Sequence, residues 1–182
     1  MEVLKRGAKN YIGVDPNSKN IDVMHKKLSK FFPNKFILIN DNFDGYFLEK
    51  YNSILNTSIP SLITCFEVIE HLYEPHSLVK QVIQIMKLSP PGKCLFVLST
   101  PNAFNLKRLF YYCFLQKYSD PLQDPVNYEH PEHIRGYSFP LIKDLLRKYD
   151  LEFKFISGNY YLGRYFSRYI VVISKLKEVA RK

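Results

Sequence analysis

Short apolar runs alternate with amphipathic helical segments along most of this chain, and that rhythm constrains the fold more than any other feature. Tyr11-Ile-Gly-Val14 reads as a strand that stops at Asp15-Pro16, and Asn17 or Ser18 caps a helix with Ile21, Met24, Leu28 and Phe31 on one face. Phe36-Ile-Leu-Ile39 is a second strand ending at Asn40-Asp41, and a weaker helical segment runs through Phe47 and Leu48 to Tyr51. Ser61 to Phe66 is a third strand, bounded by Pro60. Pro75 then opens a helix whose Leu78, Val79, Val82, Ile83 and Met86 share one face, and Ser89-Pro-Pro-Gly92 ends it. Cys94 to Leu98 is nearly all apolar, as suits a strand covered on both faces. Residues 103 to 137 break the rhythm and are expected to form an irregular insertion on the substrate side. Ser138 caps a last helix with Leu141, Ile142, Leu145, Leu146 and Tyr149 inward. Strands at about Glu152 to Ile156 and Tyr169 to Ser174 close the chain as a hairpin. Strand alternating with helix demands right-handed crossovers, so the fold class is α/β, a doubly wound, mostly parallel sheet with a C-terminal antiparallel hairpin.

Composition sets the outer limits. With 182 residues, 46% of them hydrophobic, the chain can build one core, and a single domain over residues 1 to 182 is expected. No apolar run approaches the roughly 18 residues that span a bilayer, and the first ten residues lack a signal-peptide core, which predicts a cytoplasmic protein without a transmembrane segment. Cys65, Cys94 and Cys113 are odd in number, widely spaced and free of any Cys-x-x-Cys pair, so they read as reduced thiols. The formal charge of +9 admits an anionic partner such as nucleic acid or a membrane surface. The basic residues are scattered, however, which puts a small-molecule acceptor ahead of RNA. Oligomeric state is not legible.

In a sheet of this kind ligands bind outside the carboxyl ends of the strands, which singles out Asp15, Asp41, Glu67 and the Ser99-Thr-Pro-Asn102 segment. An acid closing the second strand of a nucleotide-binding sheet accepts hydrogen bonds from both ribose hydroxyls. Asp15 stands where such an acid would, although a turn residue before Pro16 has the same signature.

Taken in order, Tyr-Ile-Gly-Val-Asp15, Asn40-Asp41, Cys65-Phe-Glu-Val-Ile-Glu-His-Leu72, Leu88-Ser-Pro-Pro-Gly92 and Leu98-Ser-Thr-Pro-Asn102 resemble successive motifs of class I S-adenosylmethionine-dependent methyltransferases, especially the small-molecule subgroup. The likeness runs from about Gly7 to Ser174. It implies a Rossmann-like fold and S-adenosylmethionine as cofactor, with Asp15 on the ribose, Asp41 and Asn42 against the adenine, and Cys65, Phe66 and Glu67 along the cofactor floor. Asn102 and His130 would meet the acceptor. His133, just before the final helix, would act as general base toward a hydroxyl in an O-methylation. That family's glycine-rich loop precedes the ribose acid by about 20 residues, upstream of Met1 here, and none of the seven glycines forms a Gly-x-Gly pair. The domain is therefore expected to be N-terminally incomplete, lacking its first strand and glycine loop. A non-catalytic remnant serving as a binding module is the alternative from another class.

Glu67, Glu70 and His71 stand at i, i+3 and i+4, so one helical turn would aim all three at a point, with His133 from Glu129-His-Pro-Glu-His133 completing a set suited to Mg, Mn or Zn. That combination is similar to the metal-dependent small-RNA 2′-O-methyltransferases. Two aromatic clusters complete the candidates. Leu109 to Leu115 reads as a lid over the acceptor, a membrane-touching patch or plain packing, and the Tyr160-Tyr161 and Tyr165-Phe166 pairs read as a hairpin tip or contact surface.

Overall fold

The computed structural model describes residues 2 to 115, 133 to 156 and 167 to 177. They form a mixed α/β fold in two compact units, Met1–Ser58 and Ile59–Lys182. Among the described residues no helix is long and apolar enough to cross a membrane.

The first unit opens with a single helical turn, α1 (Glu2–Lys5), and is built on β1 (Tyr11–Val14), α2 (Ser18–Phe31), β2 (Phe36–Ile39) and α3 (Phe47–Thr57). The two strands pair in parallel, Tyr11 opposite Phe36 through Val14 opposite Ile39. Asn17 caps α2 by accepting the Lys19 N–H at 3.0 Å, offsetting one of the unpaired amides every helix start presents. Gly13 lets α2 and β2 close on β1, because a Cβ there would lie 2.9 Å from Leu38 Cδ2 and 3.0 Å from Met24 Cε. Leu28 is buried on α2, whereas Phe31 at its last turn is 58% exposed and has the Lys30 ammonium 5.5 Å from its ring centroid. The expected apolar face therefore ends a turn early. Leading into α3, a tilted aromatic row of Phe43, Phe47 and Tyr51 packs at centroid spacings of 4.6 and 4.8 Å.

The second unit carries a four-stranded sheet in the order β3 (Leu62–Phe66), β4 (Leu95–Pro101), β6 (Tyr169–Leu176), β5 (Leu151–Phe155). β3 and β4 are parallel, and α4 (Pro75–Met86) supplies their crossover. β6 runs antiparallel to both β4 and β5, which is the expected closing hairpin. On α4 the side chains of Leu78, Val79, Val82, Ile85 and Met86 are buried, as the helical period requires. Phe96 and Leu98 of β4 and Ile170 and Val172 of β6 are each at most 1% exposed. Burying one such side chain stabilises the fold by about 1.5–3 kcal/mol. α6 (Phe139–Arg147) is capped by Ser138, whose hydroxyl accepts the Leu141 N–H. Ile142, Leu145 and Leu146 are buried as expected, but Leu141 is 51% exposed, because it lies at the edge of that face, roughly 140° around the helix from Leu146.

One sequence expectation needs amendment. Residues 103 to 137 are not irregular throughout, since Leu106–Leu115 forms α5. Asn105 is the overlooked signal, accepting the Arg108 N–H at 3.1 Å from the N-cap position. Cys65 and Cys94 are buried free thiols, while Cys113 on α5 is exposed. The Tyr160-Tyr161 and Tyr165-Phe166 pairs lie outside the described residues.

Candidate functional site

The first unit places Asp15 and Asp41 just beyond the carboxyl ends of two neighbouring parallel strands. The Asp15 N–H bonds to Ile39 O at 3.1 Å, continuing the ladder past the strand, and the Asn40 amide donates to the Asp15 and Pro16 carbonyls, both at 3.0 Å. Asp15 Oδ1 accepts the Asn17 N–H at 2.8 Å, and Oδ2 accepts the Asn20 amide at 3.1 Å. Asp41 is held more tightly. Lys50 and Tyr51 both donate to its Oδ2, the Tyr51 bond at 2.7 Å, and the Asn42 N–H donates to Oδ1 at 2.9 Å. The Lys50 bond first, with the Tyr51 and Asn42 bonds, lowers the Asp41 carboxyl to about 2. Lys50 and Tyr51 had no signal in the sequence, because nothing linear tells which way a helix starting six residues later will face.

In the second unit the chain turns sharply after β3. Glu67 has a left-handed backbone at φ 52, unusual for a residue with a side chain. Its N–H bonds to Ser99 O at 3.1 Å, and the Ser99 hydroxyl donates to its Oε1 at 2.9 Å. A 3-10 turn, Ile69–His71, follows and changes the expected geometry. Ile69 and Glu70 are buried while Glu67 is exposed, so Glu67 stays with Ser99 and only Glu70 enters the core.

Glu70 is fully buried, and its carboxylate is half satisfied. Thr100 donates to Oε2 at 3.0 Å, whereas Oε1 has no hydrogen-bond partner among the described residues. His133 Nε2 lies 3.9 Å from that Oε1, and the His71 and His133 rings stand 4.7 Å apart. One ligand atom each from Glu70, His71 and His133 falls within 4.8 Å of the others. The backbone explains the convergence. Glu70 O accepts the N–H groups of both Ile134 and Arg135, at 2.8 and 3.1 Å, which fastens the His133 segment over the turn. Arg135 adds a guanidinium bond to Tyr73 O at 2.9 Å.

Burial raises the Glu70 carboxyl, with the Glu67 charge adding to it, against bonds from its own backbone and from Thr100 that lower it. Burial likewise pushes the Cys65 thiol up to about 12, with the Glu70 carboxylate adding to the effect, so Cys65 is a neutral thiol. A buried acid with one unpartnered oxygen beside two imidazoles is the arrangement a divalent cation would satisfy, and this donor set suits Mg, Mn or Zn. The cluster fits a metal, with Glu70, His71 and His133 as the residues to hold it.

Asn102 lies deeper than its expected substrate-facing role suggests. It is fully buried, donating to Ser167 O at 2.9 Å and accepting the Phe104 N–H at 3.0 Å. Phe66 is exposed and Cys65 buried at the end of β3. His130 lies outside the described residues. Thr100 was legible in principle, as a polar residue continuing the inward row of Phe96 and Leu98 on β4.

A family model described as a methyltransferase domain matches residues 1–154. No curated protein matches the sequence. Among solved structures, the CurJ carbon methyltransferase is similar with a TM-score of 0.60 at 13% identity, over 93% of this chain and 42% of that one. The small RNA methyltransferase HEN1 is similar at 0.53 and 19%, over 94% of this chain and 20% of that one. The methyltransferase domain of bacterial CtHen1 is similar at 0.57 and 17%, over 96% and 82%. At these identities the likeness is one of fold, and the chain spans less than half of the first two structures.

Proposed function

The chain belongs to this methyltransferase domain family, and we propose that it transfers a methyl group from S-adenosylmethionine to a hydroxyl oxygen, with Glu70, His71 and His133 as the residues that would hold a divalent cation. The observation that carries the reading is the unpartnered Oε1 of a fully buried Glu70 within a three-residue ligand cluster. A divalent cation held there would supply electrophilic binding of acceptor hydroxyl oxygens. Catechols, sugars and the ribose at the 3′ end of an RNA all offer neighbouring hydroxyls, and the chain's net charge of +9 favours the last of these, a polyanion. RNA is the substrate named for HEN1, and for this chain it is a proposal.

When bound, S-adenosylmethionine supplies a methyl already activated on sulfonium, so the chain's work is positioning. Asp15 would receive the ribose hydroxyls, since each of its carboxylate oxygens accepts one internal bond and keeps a lone pair. Asp41 and Asn42 would flank the adenine, and Cys65, Phe66 and Glu67 would line the floor. Asn102 would hold the acceptor-side loop through its bond to Ser167.

Transfer of labelled methyl to an RNA oligonucleotide ending in a 2′,3′-diol, set against the same oligonucleotide ending in 2′,3′-dideoxyribose, tests the reading. Label should enter only the diol, and only with Mn²⁺ or Mg²⁺ present. Equal labelling of both, or no labelling together with no calorimetric heat from S-adenosylhomocysteine, overturns it.

The 3.9 Å approach of His133 to Glu70 favours a second reading, O-methylation of a small molecule with His133 as a base oriented by that carboxylate. In that case activity survives EDTA and His71→Ala but not His133→Ala.

A further inference from the structure

A second buried polar atom, Tyr137 Oη, has no hydrogen-bond partner among the described residues, and the Glu70 charge acts on it. Tyr137 is 6% exposed, so its hydroxyl is not hydrated by bulk water. A phenylalanine would pack the same ring without the roughly 1–3 kcal/mol that a buried unpaired hydroxyl costs. The backbone fixes the ring at this place. Ala103 N–H donates to Tyr137 O at 2.8 Å, and Asn102 and Tyr137 form a parallel bridge. Two residues earlier the Arg135 N–H is bonded to Glu70 O. The same short segment thus delivers both His133 and Tyr137 to the interior around Glu70.

A carboxylate oxygen that accepts and a phenol that donates, each without a hydrogen-bond partner among the described residues and near enough for the Glu70 charge to act on the phenol, suit a ligand carrying a hydroxyl or water oxygen. We propose that Tyr137 is a positioning residue of the proposed metal site, its hydroxyl donating to an oxygen ligand, water or an acceptor hydroxyl, of the cation that Glu70, His71 and His133 would hold. This rests on the metal reading given above. Burial pushes the phenol up to about 12, with Arg135 pulling it down and the Glu70 carboxylate pushing it up, so Tyr137 keeps the proton it is to donate.

Co²⁺ titration followed by visible absorption, together with thermal unfolding of the metal-free protein, tests the proposal on the wild type and Tyr137→Phe. The wild type should develop Co²⁺ ligand-field bands. Tyr137→Phe should bind Co²⁺ about 10-fold more weakly, the loss usual for an outer partner of a metal site, with altered bands because the orienting bond is gone. Its metal-free Tm should be unchanged or about 2–4 °C higher, since an unsatisfied hydroxyl has been removed. Bands in the wild type with identical affinity and spectrum in the variant overturn the role of Tyr137 and leave the metal reading standing. A metal-free Tm several degrees lower in the variant also overturns it, by showing that the hydroxyl serves the fold. No bands in the wild type overturn the metal reading and this inference together.

Discussion

Thr100 Oγ1 donates a 3.0 Å hydrogen bond to Glu70 Oε2, and the two side chains are 1% and 0% exposed. This bond holds the carboxylate in place while its other oxygen remains available. Thr100→Val keeps the shape and removes the donor. It should cost about 1.5–3 kcal/mol, the range for a hydrogen bond to a charged group, in urea unfolding of the metal-free protein. A loss below roughly 0.5 kcal/mol, within the scatter of a neutral substitution, would mean Glu70 is not anchored through Thr100.

Asn102 serves the loop that leaves β4. Asn102→Ala strands the Ser167 carbonyl and the Phe104 N–H inside the protein. Each unpaired buried group costs about 1–3 kcal/mol, so the variant should lose about 2–4 kcal/mol by denaturant titration. Asn102→Asp keeps an acceptor for Phe104 but sets a carboxylate oxygen against the Ser167 carbonyl in a fully buried place, and should lose at least as much. An Asp variant as stable as the wild type would show that the Ser167 bond is dispensable.

Asp41 supplies a pH dependence whose sign follows from its direction of shift. Its carboxyl is lowered to about 2 by Lys50 first, then Tyr51 and Asn42. An unfolded Asp titrates near 3.9, so the folded chain resists protonation there. The stabilisation is present above roughly pH 4 and is lost as the pH falls toward 2. Being solvent-facing, it is modest and screened by salt. Melting curves of Asp41→Asn and the wild type should therefore converge on acidification across that interval at low salt. Parallel curves would show that the Lys50 and Tyr51 contacts are not formed in solution.

Glu67 occupies a left-handed backbone at φ 52, a conformation costing a side-chain-bearing residue roughly 1–2 kcal/mol. Glu67→Gly should change stability by less than about 1 kcal/mol, relief of strain being set against glycine's entropy and the lost Ser99 bond. Glu67→Val keeps the strain, adds a β-branch and should be clearly less stable in the same unfolding assay. Equal stability of the two variants would contradict the strained turn.

The strands were legible because each is a short apolar run ended by a polar residue, and β1 and β2 coincide with Tyr11–Val14 and Phe36–Ile39 as read. Asn17 and Ser138 were recognisable caps for the same local reason. α5 was not, because Asn105 caps a segment whose aromatic residues lack a buried stripe, none of its ten residues being buried. At the site, the i, i+3, i+4 spacing suggested that Glu67, Glu70 and His71 converge. The left-handed backbone of Glu67 and the tight 3-10 turn separate the first from the others, and neither is encoded in spacing. The juxtaposition of Glu70 with Thr100 and His133 depends on the sheet and the returning loop, contacts 30 or more residues apart that linear patterns do not carry.

The most direct test of the central claim is the free Mn²⁺ signal in electron paramagnetic resonance as the metal is titrated into EDTA-stripped protein. The wild type should remove one equivalent of Mn²⁺ per chain from the free pool, and Glu70→Ala and His133→Ala should leave it free. Undiminished free signal with the wild type, or equal uptake by all three proteins, would contradict a metal centre at Glu70, His71 and His133.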